Sequence, residues 1–205
     1  QGLFRNPLVD PGLIGVSSGA ALAAAGLMVL SGAAWNTPVL LTAAAFAGGL
    51  LAAWLVQRLA RVHGRTLVIS LLLAGVAINA TAGSLLGLLS YIATDAQLRN
   101  LTFWSLGSLG GATWARALWA APLTGLGVLA LLRLARPLNV LLLGESEAEN
   151  LGIAVESVKR QALLLAVLLT ASSVALCGVI GFIGLVVPHT VRLLTGPDHR
   201  LVLPG

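Results

Sequence analysis

Five stretches of this chain are too apolar to face water: about Leu13 to Leu30, Pro38 to Val56, Leu67 to Ile92, Trp114 to Leu132 and Ala162 to Val187. Each approaches or exceeds the roughly 20 residues that a helix needs to cross the hydrocarbon of a bilayer. Strands of a membrane barrel would alternate apolar and polar residues over about ten positions, and no useful length of the sequence does so. The spans are therefore predicted to be helices of an all-α, polytopic transmembrane bundle. Composition agrees: 58% of the residues are hydrophobic, 9% are charged and mean hydropathy is +0.96. So few charges could not cover the surface of a soluble domain.

The charges alternate along the chain. Arg5, then Arg58, Arg61 and Arg65, then Arg133, Arg136, Lys159 and Arg160 make up eight of the twelve basic residues, and they fall in connections that a multi-pass chain would leave on one side. Arg99, Arg116, Arg192 and Arg200 fall on the other. Cytoplasmic loops carry the excess of Lys and Arg, so Gln1, the loop at 58–66 and the stretch 133–160 are expected in the cytoplasm. The loops near 31–37 and 93–113 and the C-terminal tail are expected outside. A pI near 11.1 does not make this a nucleic-acid binder, because the arginines are scattered without a basic stripe or stacking aromatics. Cys177, the single cysteine, lies in an apolar run and can form no internal disulfide. The chain starts at Gln1 with neither an initiator Met nor a signal peptide, and it is expected to be a fragment of something longer.

Leu138 to Arg160, reading LNVLLLGESEAENLGIAVESVKR, is the largest island that must sit in water. It holds four of the seven acids, Glu145, Glu147, Glu149 and Glu156, with the only lysine, Lys159. Elsewhere the informative residues are small. Gly15 and Gly19 stand one turn apart around Ser17 and Ser18, after a start broken by Pro11-Gly12. Such a face admits a close helix neighbour, and it could equally border a transport path. Gly75, Asn79, Gly83 and Gly87 recur every four residues and share one helix face. An amide at membrane depth needs a partner or a water-filled cavity, so Asn79 is read either as an interhelical hydrogen bond or as part of a pore lining. Phe103, Trp104 and Trp114 suit interfacial anchors, and Gly107 to Gly111 reads as a bend or short surface helix. Pro188 is expected to break or kink the last span just before His189.

The missing chemistry narrows the function. The one lysine follows Val158, so no Gly-Lys-Ser/Thr phosphate loop exists, and H-E-x-x-H, G-x-S-x-G and Cys-x-x-Cys are absent. His189 and His199 lack a third ligand nearby, and His63 belongs to the other side, so no metal site is expected. Asp10, Asp95 and Asp198 fall near span ends, leaving no intramembrane carboxylate for ion coupling. Neither catalysis nor a resident cofactor is expected; the scaffold must be driven from outside itself.

Several segments resemble one family. NPLVDPGLIGVSSGAALAA at 6–24, LLLAGVAINA at 71–80, FWSLGSLGG at 103–111, LNVLLLGESEAENLGI at 138–153 and GFIGLVVPHTVRLLTGPDHRLVLPG at 181–205 are similar to the permease subunits of bacterial ABC importers for ferric siderophores, haem and cobalamin, the FecCD family. The resemblance implies a type II ABC importer permease fold, of which residues 1–205 would supply about five of ten helices, the third to the seventh. It implies a multi-pass subunit of the bacterial cytoplasmic membrane that pairs with a second permease subunit as homodimer or heterodimer. Cytoplasmic ATP-binding subunits and an extracytoplasmic substrate-binding protein would be its other partners. In the family a loop between the sixth and seventh helices docks on the ATPase. It matches 138–160, and Leu143, Gly144, Glu145, Glu147, Ala148, Leu151 and Gly152 are the implied coupling residues. The helix of Asn79 matches a path-lining helix, so Asn79, Gly83 and Ser84 are the implied path residues. The cargo implied first is a ferric siderophore, with haem or cobalamin as alternatives; an ion-driven secondary carrier is the alternative from another class. Inverted repeats in the family would make Pro11-Gly12 and Pro204-Gly205 corresponding turns.

Overall fold

A computed structural model of the protein describes residues 10–31, 37–62, 65–196 and 198–203. Arg5, the loop positions 32–36, His63 and the Pro204-Gly205 pair lie outside them. The described chain is helical apart from one small hairpin, in which Arg61–Val62 pairs antiparallel with Arg65–Thr66. Among the described residues, four helices are long and apolar enough to cross a membrane: α2 (Pro38–Leu59), α3 (Val68–Ile92), α5 (Trp114–Arg133) and α8 (Val155–Cys177). The first apolar segment is shorter, a 3-10 turn at Pro11–Ile14 followed by α1 (Val16–Leu30). Gly15 between them takes a left-handed φ of 85°, which ends the turn and resets the chain for α1.

The chain forms two compact units. Among the described residues, one comprises those within 11–117 and 170–180, the other Asp10 with those within 118–169 and 181–203. In the first unit α1 is the hub, with Val16, Ala20, Ala24 and Ala25 wholly buried. Its neighbours approach so closely because the contact is made of small residues. A Cβ on Gly19 would strike the Gly48 carbonyl and Ala52, and one on Gly48 would strike the Gly19 carbonyl and Ala23. This is membrane-type packing, where close backbone approach replaces a hydrophobic drive between helices. Above α3 the chain turns into α4 (Asp95–Ser105), opened by a capping box in which Thr94 and Gln97 exchange side-chain and backbone bonds. Gln97 also donates to the carbonyls of Met28 and Val29 at 3.1 and 3.3 Å, closing the end of α1. Residues 106–113 are a bend, with Phe103 and Trp114 exposed and Trp104 half-buried.

The second unit holds the acidic island. After α5 come α6 (Ala135–Leu141) and α7 (Glu145–Asn150), then α8. Leu134, Leu138, Leu141, Ala148, Val155, Val158 and Ala162 form one buried cluster. The final apolar segment is two elements. The break expected at Pro188 comes earlier: α8 stops at Cys177, the chain runs non-helically to Phe182, and α9 (Ile183–Thr195) contains Pro188 without ending there. The cause is a distant contact that local reading cannot supply. Gly178, at φ 75°, lies against Gly107 and the Trp104 carbonyl, where any side chain would clash, and Ser108 N–H donates to the Cys177 carbonyl at 2.7 Å. α10 (His199–Val202) completes the described chain.

Candidate functional site

The island is built around α7, a helix of six residues. Alone it would not persist, since isolated helices this short are not stable in water. Its C-terminus is fixed by a Schellman pair: Gly152 N–H donates to the Glu149 carbonyl and Ile153 N–H to the Ala148 carbonyl, both at 2.9 Å. Gly152 has φ 80° and Gly144, at the other end, φ 130°, so both boundaries use conformations that disfavour a side chain. Ala148 is fully buried against the cluster, and this pins one face of α7.

The opposite face is free. Leu143 and Leu151 are 68% and 64% exposed, and Glu147 and Glu149 are exposed with them. Glu145 is different: it meets Lys159 at 2.6 Å, and the lysine is buried. Of the acids in the implied coupling set, Glu145 is therefore engaged within the island, whereas Glu147, like Glu149 outside that set, is exposed. Its pairing ties the start of α7 to the first turn and a half of α8.

A second polar cluster joins the island to the chain end. Asn139, on α6, donates from Nδ2 to Asp198 Oδ1 at 2.6 Å. Its Oδ1 accepts from the His199 backbone N–H at 2.9 Å and from His199 Nδ1 at 2.7 Å. Asp198 also caps α10 by accepting from Arg200 N–H at 2.9 Å. His199 is buried, and its Nε2 has no partner among the described residues. The Arg200 N–H, then the Asn139 amide, hold the Asp198 carboxyl below its ordinary value. Burial first, then the positive charge of Arg192, lowers the His199 imidazole against the opposing pull of Asp198. These contacts correct the sidedness read from arginine counts: the tail, expected on the face opposite the island, lies against it. None of the three residues was singled out from sequence as a group.

In the first unit, Asn79 spends its amide on packing. Nδ2 donates to the Gly12 carbonyl at 3.1 Å, and Oδ1 accepts from Ser18 Oγ at 2.5 Å. Gly75, one turn earlier, receives the Leu13 carbonyl so closely that no Cβ would fit. One turn later the character of the face changes. Around Gly83 and Gly87 nothing lies within reach of a Cβ, and Ser84, exposed, bonds only back to the Ala80 carbonyl at 3.0 Å among the described contacts. Half of the glycine face is thus a helix contact and half is open.

The profile of the FecCD transport family matches residues 1–205. The chain is similar to the hemin transport system permease protein HmuU of Yersinia pestis, at 48% identity over all of this chain and 62% of the relative. It is 42% identical to the cobalamin import system permease protein BtuC of Halobacterium salinarum, again over its whole length and 54% of the relative. The Fe(3+) dicitrate transport system permease protein FecD of Escherichia coli is 40% identical, with 62% of it covered. A solved structure described as an inward-facing conformation of a putative metal-chelate type ABC transporter superposes with a TM-score of 0.90 at 32% identity, covering all of this chain and 64% of that one. The chain thus spans somewhat more than half the length of the curated relatives it matches. With a helical scaffold that supplies four membrane-length helices and a family profile matched from end to end, the chain belongs to the FecCD transport family.

Proposed function

We propose that the chain is part of the permease subunit of an ATP-driven importer of metal chelates in the bacterial cytoplasmic membrane. The observation that carries this is the form of the island: a capped helix with one face anchored by Ala148 and the other offering Leu143, Glu147, Glu149 and Leu151. Two exposed leucines flanking two carboxylates suit a partner groove that is apolar at its floor and basic at its rim. That partner is a cytoplasmic ATPase subunit, and the chain itself performs no chemistry. Gly144 and Gly152 mark the ends of the element, with Glu145 holding it to α8. A second permease subunit, identical or different, and an extracytoplasmic binding protein complete the machine. The translocation path runs along the open half of the α3 face at Gly83 and Ser84, with Asn79 closing it toward Gly12 and Ser18.

The cargo proposed first is a ferric siderophore. Haem is the second reading, favoured by the 48% identity to a permease named for hemin, and cobalamin follows on the same kind of evidence. The test is uptake of iron-55 siderophore, haem and cobalamin into proteoliposomes holding the complete permease, its ATPase and its binding protein. Uptake of one cargo that requires ATP supports the importer and identifies the chelate. Uptake driven by an imposed proton or sodium gradient without ATP overturns it in favour of a secondary carrier.

A further inference from the structure

Helix α9 is held in an unusual way. It has no buried residue, and Ile183, Val186, Leu193 and Leu194 are all more than half exposed. Both ends are released from regular structure, by Phe182 at φ 66° before it and Gly196 at φ 85° after it. After it comes α10, which has only four residues and cannot stand by itself. α10 is held in turn by Asn139, whose three bonds reach the side chain of Asp198 and both the backbone and ring of His199. Leu203, just beyond, packs on the apolar cluster that contains Leu138, Leu141 and Ala148. An unbroken series of contacts therefore runs from α7 through the cluster to α6, and from Asn139 to α10 and α9.

The chemistry of His199 indicates what the cluster is for. A buried ring whose Nε2 has no partner among the described residues is a poor filler, since a leucine would occupy the space without stranding a polar atom. Only the Nδ1–H bond to Asn139 makes a ring nitrogen useful there, and that bond is directional. Directional bonds fix register between two elements in a way that apolar packing does not.

We propose that Asn139, Asp198 and His199 form a latch through which movement of the island is passed to α9, making them positioning residues for transport. This rests on the reading of the island as the ATPase dock. The test uses the complete permease with its ATPase in nanodiscs, with Cys177→Ser and a reporter thiol at Val187→Cys on α9. The reporter's maleimide labelling is compared between the nucleotide-free and ADP-vanadate-trapped states. With the latch intact the two rates are expected to differ by about fivefold or more, the usual lower size of coupling between sites. Asn139→Leu and His199→Leu are expected to keep the ATPase bound and trapped while abolishing that difference and lowering uptake per ATP. His199→Gln, which retains an N–H for Asn139, is expected to restore both. The latch is overturned if the leucine variants keep nucleotide-dependent labelling and normal uptake, or if they lose the ATPase altogether, which would make the cluster a support for the dock. Failure of the unaltered permease to bind an ATPase would instead remove the importer reading itself, and the latch with it.

Discussion

At the scale of single residues, two asparagines do the same job and only one was visible in advance. Asn79 stands alone in an apolar run, so its amide draws notice; Asn139 sits in a polar island, where an amide is ordinary. Both turn out to bind another element through side-chain bonds. The glycine face shows the same limit, because spacing reveals the shared face but not which half is covered. This makes a paired prediction. Gly75→Ala should drive a methyl into the Leu13 carbonyl and destabilise by roughly 1–3 kcal/mol or more, the range of overpacking. Gly83→Ala meets open space and should gain up to about 1 kcal/mol from helix propensity. Thermal midpoints in detergent would separate them; equal effects would refute the division of the face. For His199, the lowered folded value means that the unfolded state binds protons first. Its contribution is intact above the ordinary value of 6.5 and is lost as pH falls from there through the lowered value. Asp198, also lowered, acts only at more acidic pH, below its ordinary 3.8. An NMR titration should place His199 below 6.5, and the loss of thermal stability between pH 7 and pH 5 should shrink in His199→Gln.

At the scale of elements, the island was legible because glycine, charge and an apolar-to-polar switch all change at the same points. Gly144 and Gly152 bound α7. Capture of Glu145 by Lys159 was not legible, since thirteen intervening residues had to fold before the pair could meet. Replacing Gly152 by Val should strain the left-handed cap, costing about 1 kcal/mol or more, and should weaken ATPase copurification and uptake while leaving the binding protein's affinity for cargo unchanged. Asn tolerates this region of backbone space, so Gly152→Asn should recover much of the docking. If valine docks as well as glycine, the cap does not set the shape of the dock. The break between α8 and α9 teaches the complementary lesson. Proline suggested a local cause at 188, whereas the chain actually leaves helix where Gly178 meets Gly107, a contact between segments far apart in sequence.

At the scale of the molecule, hydropathy found the helical class and the arginines indicated an orientation, but neither could place a tail whose polar residues have partners in the island. The contacts of Asn139 with Asp198 and His199 predict that Glu147→Cys and Arg200→Cys, each in a Cys177→Ser background, are labelled by an impermeant maleimide from the same side of sealed vesicles. Leu109→Cys, before α5, should be labelled from the other side. Labelling of Arg200→Cys with Leu109→Cys would contradict the shared end. The buried Lys159 bears on how such a complex can be mapped. With its only ammonium group held inside the island against Glu145, this stretch of chain gives amine-directed cross-linkers no accessible lysine. A footprint of the docking face would have to be taken through carboxylates, by carbodiimide coupling at Glu147 and Glu149, and a blank result with lysine reagents would say nothing about whether a partner is bound.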